Sequence, residues 1–176
     1  NFSIDCGITY MDQSSDMPWC ESLPIFEETW SLLVPHSFEF EELEEISWKQ
    51  AGDLPLALLR PSMYERSIAE ETFLATGKKV APKIESESIL HLMFQTQFTE
   101  LCTIIPTHYT RMPGLHSGTK ALLLKDPIIK KGIGLFWLKT DTVIPVTKIA
   151  EEVGRSLAEN NELQKFLYRE PKDGQG

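Results

Sequence analysis

Several features that mark specialised proteins are scarce or missing in this chain. Cysteine occurs only at Cys6, Cys20 and Cys102, an odd number at unrelated spacings. That excludes a disulfide-stapled scaffold and suits a reducing, cytoplasmic setting, where free thiols in apolar strands behave as small hydrophobes. Positive charge is in deficit: 17 basic against 26 acidic side chains leave a formal net charge of −9. This segment therefore does not itself wrap nucleic acid or rest on an anionic membrane, since both need a positive surface. No run approaches the ~18 consecutive apolar residues of a membrane span, and the N-terminus lacks the basic-then-apolar layout of a signal peptide. His36, His91, His108 and His116 form no pair at metal-ligand spacing with Cys or carboxylate partners, so neither a metal nor a cofactor is expected. Gly-x-Ser-x-Gly, the P-loop and the dinucleotide Gly-x-Gly-x-x-Gly are absent; Gly132-Ile133-Gly134 is only an echo of the last, because no helix start follows it.

What is present is a globular composition, 41% hydrophobic over 176 residues, enough for one domain or two small lobes. The chain opens with a strand pattern already under way, Phe2 to Tyr10, as a fragment would. Met11 to Pro24, rich in Ser, Asp and Pro, reads as a loop. Thr29 to Val34 is a strand stopped by Pro35, and the acidic run Glu39 to Glu45 is a solvated face. Ser47 caps a short helix over Trp48 to Ala51. Leu54 to Leu59 is a continuous apolar run, the mark of a strand covered on both faces. Tyr64, Ile68, Ala69 and Phe73 then recur at helical spacing until Gly77 supplies a stop. A strand over Val80 to Glu85, a helix over Ser88 to Gln97, a strand over Leu101 to Ile105 and a short helix or turn over Thr107 to Met112 follow. Ala121 to Leu124 and Ile133 to Leu138 are the last strands. Val146, Ile149, Ala150, Val153 and Leu157 mark a closing amphipathic helix whose stripe is expected in the core. The tail from Asn160 is polar and expected to fray.

Strands alternating with helices through short loops demand right-handed crossovers and a mainly parallel sheet, with ligands bound beyond the carboxyl ends of the strands. Small polar groups recur at those ends: Thr9 and Tyr10, Arg60 and Ser62, Ser86 and Ser88, then Thr107. Ser86 and Ser88 deliver two hydroxyls to a helix start, beside backbone N–H groups without an intrahelical partner. A lone serine there is most often only a cap. Repetition of the pattern at four strand ends favours a site for a small anion, which the helix dipole and unpaired donors attract.

Enzyme readings fare worse. A triad of Cys102, His108 and Asp126 places its nucleophile inside a buried strand, with no helix N-terminus to lower the thiol pKa. Glu85 and Glu87 flank the serines as a paired-carboxylate candidate for acid/base work. Alternation and helix-end electrostatics explain both more simply.

Four stretches carry a family resemblance: Ile4-Asp-Cys-Gly-Ile-Thr-Tyr10; Leu54-Pro-Leu-Ala-Leu-Leu59 with the helix ending at Gly77; Ile84-Glu-Ser-Glu-Ser-Ile-Leu-His-Leu-Met93; and Cys102-Thr-Ile-Ile-Pro106. In order and spacing the chain resembles the effector-binding domain of LysR-type transcriptional regulators, from Ser3 to about Leu157. The resemblance implies an α/β fold like that of type 2 periplasmic binding proteins, with two Rossmann-like lobes and mixed, mainly parallel sheets. Residues 1–29 and 131–160 would form part of lobe I, 30–130 lobe II, and 161–176 a polar tail. Lobe I would be incomplete, its opening strand and helix pairs preceding Asn1. No catalysis is implied. The expected partners are a small-molecule or anion effector held between the lobes by Thr9, Tyr10, Arg60, Ser62, Ser86, Ser88, Pro106 and Thr107, and further copies in a homodimer or homotetramer. DNA would be met only through a helix-turn-helix domain absent from this chain, and no membrane is involved. A transport-type solute-binding protein of the same fold is the first alternative, and a small α/β enzyme using Cys102 or Glu85 and Glu87 the second.

Overall fold

The computed structural model describes residues 4–12, 18–40, 42–112, 118–139, 145–160 and 162–167. The chain divides into two compact units: one takes the segments up to Glu28 and from Lys130 onward, the other centres on Thr29–Ile129.

The first unit is a three-stranded sheet of order β1-β9-β2, with β1 at Cys6–Tyr10, β2 at Cys20–Glu28 and β9 at Lys131–Leu138. Both ladders are antiparallel. The central strand carries Gly134, and a Cβ there would lie 2.1 Å from Met11 Sδ and 2.8 Å from the Leu23 carbonyl oxygen. The Gly132–Gly134 pair thus serves close packing, not a nucleotide. β2 corrects the loop reading of Met11 to Pro24. Pro24 sits inside it, as an edge strand permits, and the register shifts between Pro24 and Phe26.

The helix α4 (Pro145–Asn160) lies on β2 and β9. It overturns the expectation for the apolar stripe. Val146, Ile149, Val153 and Leu157 are exposed, and the buried residue is Gly154. Without a Cβ at Gly154 the helix comes against Leu23 and Leu135, so its face of small residues makes the contact and the branched ones flank it. The frayed-tail expectation also fails for α5 (Glu162–Leu167). Gln164 bridges the backbone of Glu27, its Oε1 accepting from the N–H at 2.6 Å and its Nε2 donating to the carbonyl at 3.2 Å, which pins the segment to the edge strand. Residues 168–176 of the expected tail lie outside the described residues.

The second unit is a six-stranded mixed sheet of order β4-β8-β3-β7-β5-β6. Its strands are β3 (Trp30–Pro35), β4 (Glu45–Ser47), β5 (Leu56–Leu59), β6 (Ile84–Ser86), β7 (Cys102–Pro106) and β8 (Thr119–Lys125). β5 runs parallel to both β6 and β7, and β4 parallel to β8, whereas β3 is antiparallel to β7 and β8. The parallel character expected from the strand–helix alternation is therefore carried by this unit. β3, β5 and β7 are buried at every position, and β5 accordingly reads as an unbroken apolar run.

Among the described residues this unit holds three α-helices and the 3-10 turn Thr107–Arg111. Short α1 (Trp48–Ala51) opens on a capping box between Ser47 and Gln50. Helix α2 (Tyr64–Ala75) lies against β5 and ends before Gly77, whose φ of +78° suits a residue without a Cβ. Phe73 of α2 meets Trp48 edge-on, centroids 5.4 Å apart. Helix α3 (Ile89–Phe98) buries Leu92 against Ala57 and Leu59, and Met93 against Leu33 and Ile105. These contacts fix the start of α3 over the carboxyl ends of β5, β6 and β7.

Candidate functional site

The ends of the adjacent parallel strands β6, β5 and β7 bring Ser86, Arg60 and Thr107 to one side of the second unit. The mouth of α3 stands there. Ser88 is its N-cap, with the extended backbone of that position (φ −121°, ψ 118°), and its Oγ accepts from His91 N–H at 3.3 Å. Ser86 Oγ accepts from Ser88 N–H at 3.1 Å. His91 is tied in on both ring nitrogens: Nδ1 lies 3.2 Å from Ser86 Oγ, and Nε2 lies 3.2 Å from Gln95 Nε2.

With the Gln95 amide assigned as donor to Nε2, neutral His91 carries its proton on Nδ1 and donates to Ser86 Oγ. Ser86 Oγ then accepts twice, and its own hydroxyl proton has only the Ser88 carbonyl, a long 3.5 Å away. Ser88 Oγ accepts from His91 N–H, which leaves its proton to point outward. The N–H groups of Ile89 and Leu90 find no partner among the described residues. Several donors and a helix dipole thus meet at the start of α3.

The remaining predicted residues divide. Arg60 makes an exposed ion pair with Glu87 at 2.5 Å, and its N–H donates to the Ser86 carbonyl at 2.9 Å. Ser62 is exposed and makes no side-chain hydrogen bond among the described residues. Pro106 is buried at the end of β7. Thr107 is buried and fully engaged: its N–H donates to the Thr29 carbonyl at 2.8 Å, and its hydroxyl lies 3.0 Å from both Thr29 Oγ1 and Ser31 Oγ. Thr107 is better read as a brace of the strand ends than as a free donor. Thr29 and Ser31 escaped sequence reasoning because each reads as an ordinary strand residue until the fold brings β3 beside β7. Thr9 and Tyr10 belong to the first unit, at the end of β1, where the buried Tyr10 hydroxyl donates to the Glu28 carboxylate at 2.7 Å.

Behind the mouth lies a residue that the sequence did not single out. Arg66 on α2 is buried; its Nη1 donates to the Leu59 carbonyl at 2.6 Å and to Glu85 at 2.9 Å, and its Nη2 lies 2.7 Å from Glu70. It ties α2 to the ends of β5 and β6 together. Only Glu70, four residues on, hinted at it from sequence.

The enzyme alternatives lose their parts here. Burial, reinforced by Glu100, pushes the Cys102 thiol up to about 12, away from the thiolate a nucleophile needs. Glu85 and Glu87 are committed to different arginines, Arg66 and Arg60. Among the described residues no cluster of His, Cys, Asp and Glu could hold a metal, and no helix is long and apolar enough to cross a membrane.

The mixed α/β sheet of the second unit, with a helix mouth and small polar groups at its strand ends, fits the type 2 periplasmic-binding-protein class. The family model described as the LysR substrate binding domain matches residues 1–149, and the chain belongs to that family. Solved structures agree in fold at low identity. The effector-binding domain of QuiR in complex with shikimate superposes with a TM-score of 0.73 at 16% identity, covering 89% of this chain and 72% of that one. The regulatory domain of Synechocystis PCC6803 CcmR in complex with 2-PG gives 0.76 at 12%, covering 89% and 74%. CbnR, a LysR family transcriptional regulator, gives 0.72 at 15%, with 88% of this chain but only 53% of that one covered. No curated protein matches the chain.

Proposed function

We propose that the chain is the ligand-sensing part of a LysR-type transcriptional regulator, working in the cytoplasm, and that it binds a small anionic effector without transforming it. The single observation that carries the effector class is the mouth of α3, where the hydroxyls of Ser86 and Ser88 and the N–H groups of Ile89 and Leu90 converge as donors. Such a constellation takes a carboxylate or an inorganic anion. Shikimate, itself a carboxylate, in the QuiR complex supports the same class here. His91 is a positioning residue, turning the Ser86 hydroxyl outward. Ser62 and Arg60 stand at the rim, and Thr107 and Pro106 shape the floor through the Thr29–Ser31 brace.

In this reading effector binding shifts a conformational equilibrium only by its differential affinity for the two states. The readout is a change in the geometry of a homodimer or homotetramer, and DNA is contacted by a helix-turn-helix domain outside this chain. Thr9 and Tyr10 belong to the proposed contact set of the first unit.

Thermal-shift screening against small anions tests the reading, because a ligand held only by the native state raises Tm by mass action. Ser86→Ala and Ser88→Ala are each expected to weaken the response by roughly 1 kcal/mol or more, the scale of a hydrogen bond to a charged group. An unchanged response in both variants sinks the assignment of the site to the α3 mouth.

A further inference from the structure

We infer that the second unit carries a separate binding site, on the α2 flank of its sheet, for a small organic anion with an apolar body. A cavity of about 190 Å³ opens between α2, β5 and the segment following Gly77. Leu58, Phe73, Leu74 and Val80 form its apolar lining. An apolar cavity of about 150 Å³ takes up benzene, so a single ring fits this one.

The charges around it select the ligand. Of the charged lining residues, Arg66 is bound to Glu70 and to Glu85, which also accounts for Glu70, the one acidic member. Lys78 is paired with Asp53. Lys79 is the lining charge that no ion pair among the described residues neutralises, and it is exposed at the rim on a flexible stem. An apolar floor beside one uncommitted ammonium suits a ring or short chain bearing a single carboxylate.

This cavity is not the α3 mouth. It lies on the α2 side, walled by Arg66, whereas the serines stand at the start of α3, which packs Leu92 and Met93 on other residues of the sheet. The inference does not depend on the effector reading.

Benzoate is the probe, with benzamide as its neutral isostere and acetate as the anion without a ring, each titrated by NMR into the protein and into Lys79→Glu and Leu74→Asp, and read on the amides of Leu58, Phe73 and Leu74. Lys79 and Leu74 are both exposed, so neither change threatens the fold. The expected result is that benzoate shifts these amides, benzamide and acetate do so at least about five-fold more weakly, and Lys79→Glu and Leu74→Asp each lose about five-fold or more. Equal binding of benzamide overturns the anion class. Full affinity in both α2-side variants, or no benzoate binding at these amides at millimolar concentration, overturns the site.

Discussion

Removal of the Arg66 side chain is the most demanding test of how the strand ends are held. Arg66 has a side chain only 4% exposed, while its partners Glu70 and Glu85 are 46% and 40% exposed. In Arg66→Ala the two carboxylates regain water, so their lost ion pairs contribute little, as at other half-exposed sites. The Leu59 carbonyl is the group stranded: it lies in a buried strand and loses its 2.6 Å donor, which costs about 1–3 kcal/mol. Two buried methylenes of the stem add roughly 1.5 kcal/mol. The sum is about 3 kcal/mol, the low end of what breaking a buried pair costs. Arg66→Met keeps most of the stem and should lose only about half of that. Lys is no substitute, because one ammonium cannot span a carbonyl and two carboxylates with the geometry of the guanidinium fork. Urea denaturation followed by tryptophan fluorescence measures both, since Trp30 and Trp48 are buried in the same unit. A loss below about 1 kcal/mol for Ala, or equal losses for Ala and Met, would refute the stranded-carbonyl argument.

Three further outcomes follow from single contacts. Ser88→Ala should lower stability by about 1 kcal/mol by uncapping α3, and Ser88→Gly by only a few tenths, so a denaturation midpoint for each variant separates cap loss from lost anion binding. Gly134→Ala should destabilise the first unit by about 1–3 kcal/mol through overpacking against Met11 and the Leu23 backbone; hydrogen exchange should show the loss in β1, β2 and β9 and not in the second unit. For Cys102 the thiol is raised from 9.0 to about 12 in the folded state. The folded state then keeps a proton that the unfolded state has lost, so its contribution is complete below pH 9 and falls by ~1.4 kcal/mol per unit as pH climbs toward 12. Alkylation at pH 8 should accordingly modify Cys6 and Cys20 well before Cys102, and equal rates would contradict the burial argument.

The second unit was legible where one physical cause dominates each segment. β5 is an unbroken apolar run because both faces are covered; α3 was readable as a helix from Ile89, Leu90, Met93 and Phe94, but its inward face was not, since Leu92 and Met93 pack while Leu90 and Phe94 are exposed. The misses share a different cause. β2 carries charges and Pro24, which only an edge position tolerates, and the edge is a fact of topology. The stripe on α4 has the right period but the wrong face, since close approach at Gly154 outweighed the hydrophobicity of Ile149 and Val153. Thr29 and Ser31 were invisible for the same reason as α5: their partners are distant in sequence. Of the candidate site, the serine mouth was readable because its donors and hydroxyls are consecutive, whereas the brace beneath Thr107 joins residues nearly eighty apart.

Arg60 separates a rim residue from a mere surface pair. Its partner Glu87 sits between Ser86 and Ser88, and the two side chains are 57% and 66% exposed, so their attraction is worth about 0–1 kcal/mol. An anion at the α3 mouth meets two unfavourable consequences of Glu87: direct repulsion, and occupation of the Arg60 guanidinium. Both vanish in Glu87→Gln, which keeps the shape of the side chain. The variant should therefore bind the anion found by screening a few-fold more tightly at low ionic strength, with the gain fading as salt screens the rim. Arg60→Ala in the same background should remove the part of the gain that comes from the freed guanidinium and leave the part due to lost repulsion. If Glu87→Gln weakens binding or leaves it unchanged at low salt, the anion does not sit at this mouth, because no placement beside Ser86 and Ser88 is indifferent to a carboxylate between them.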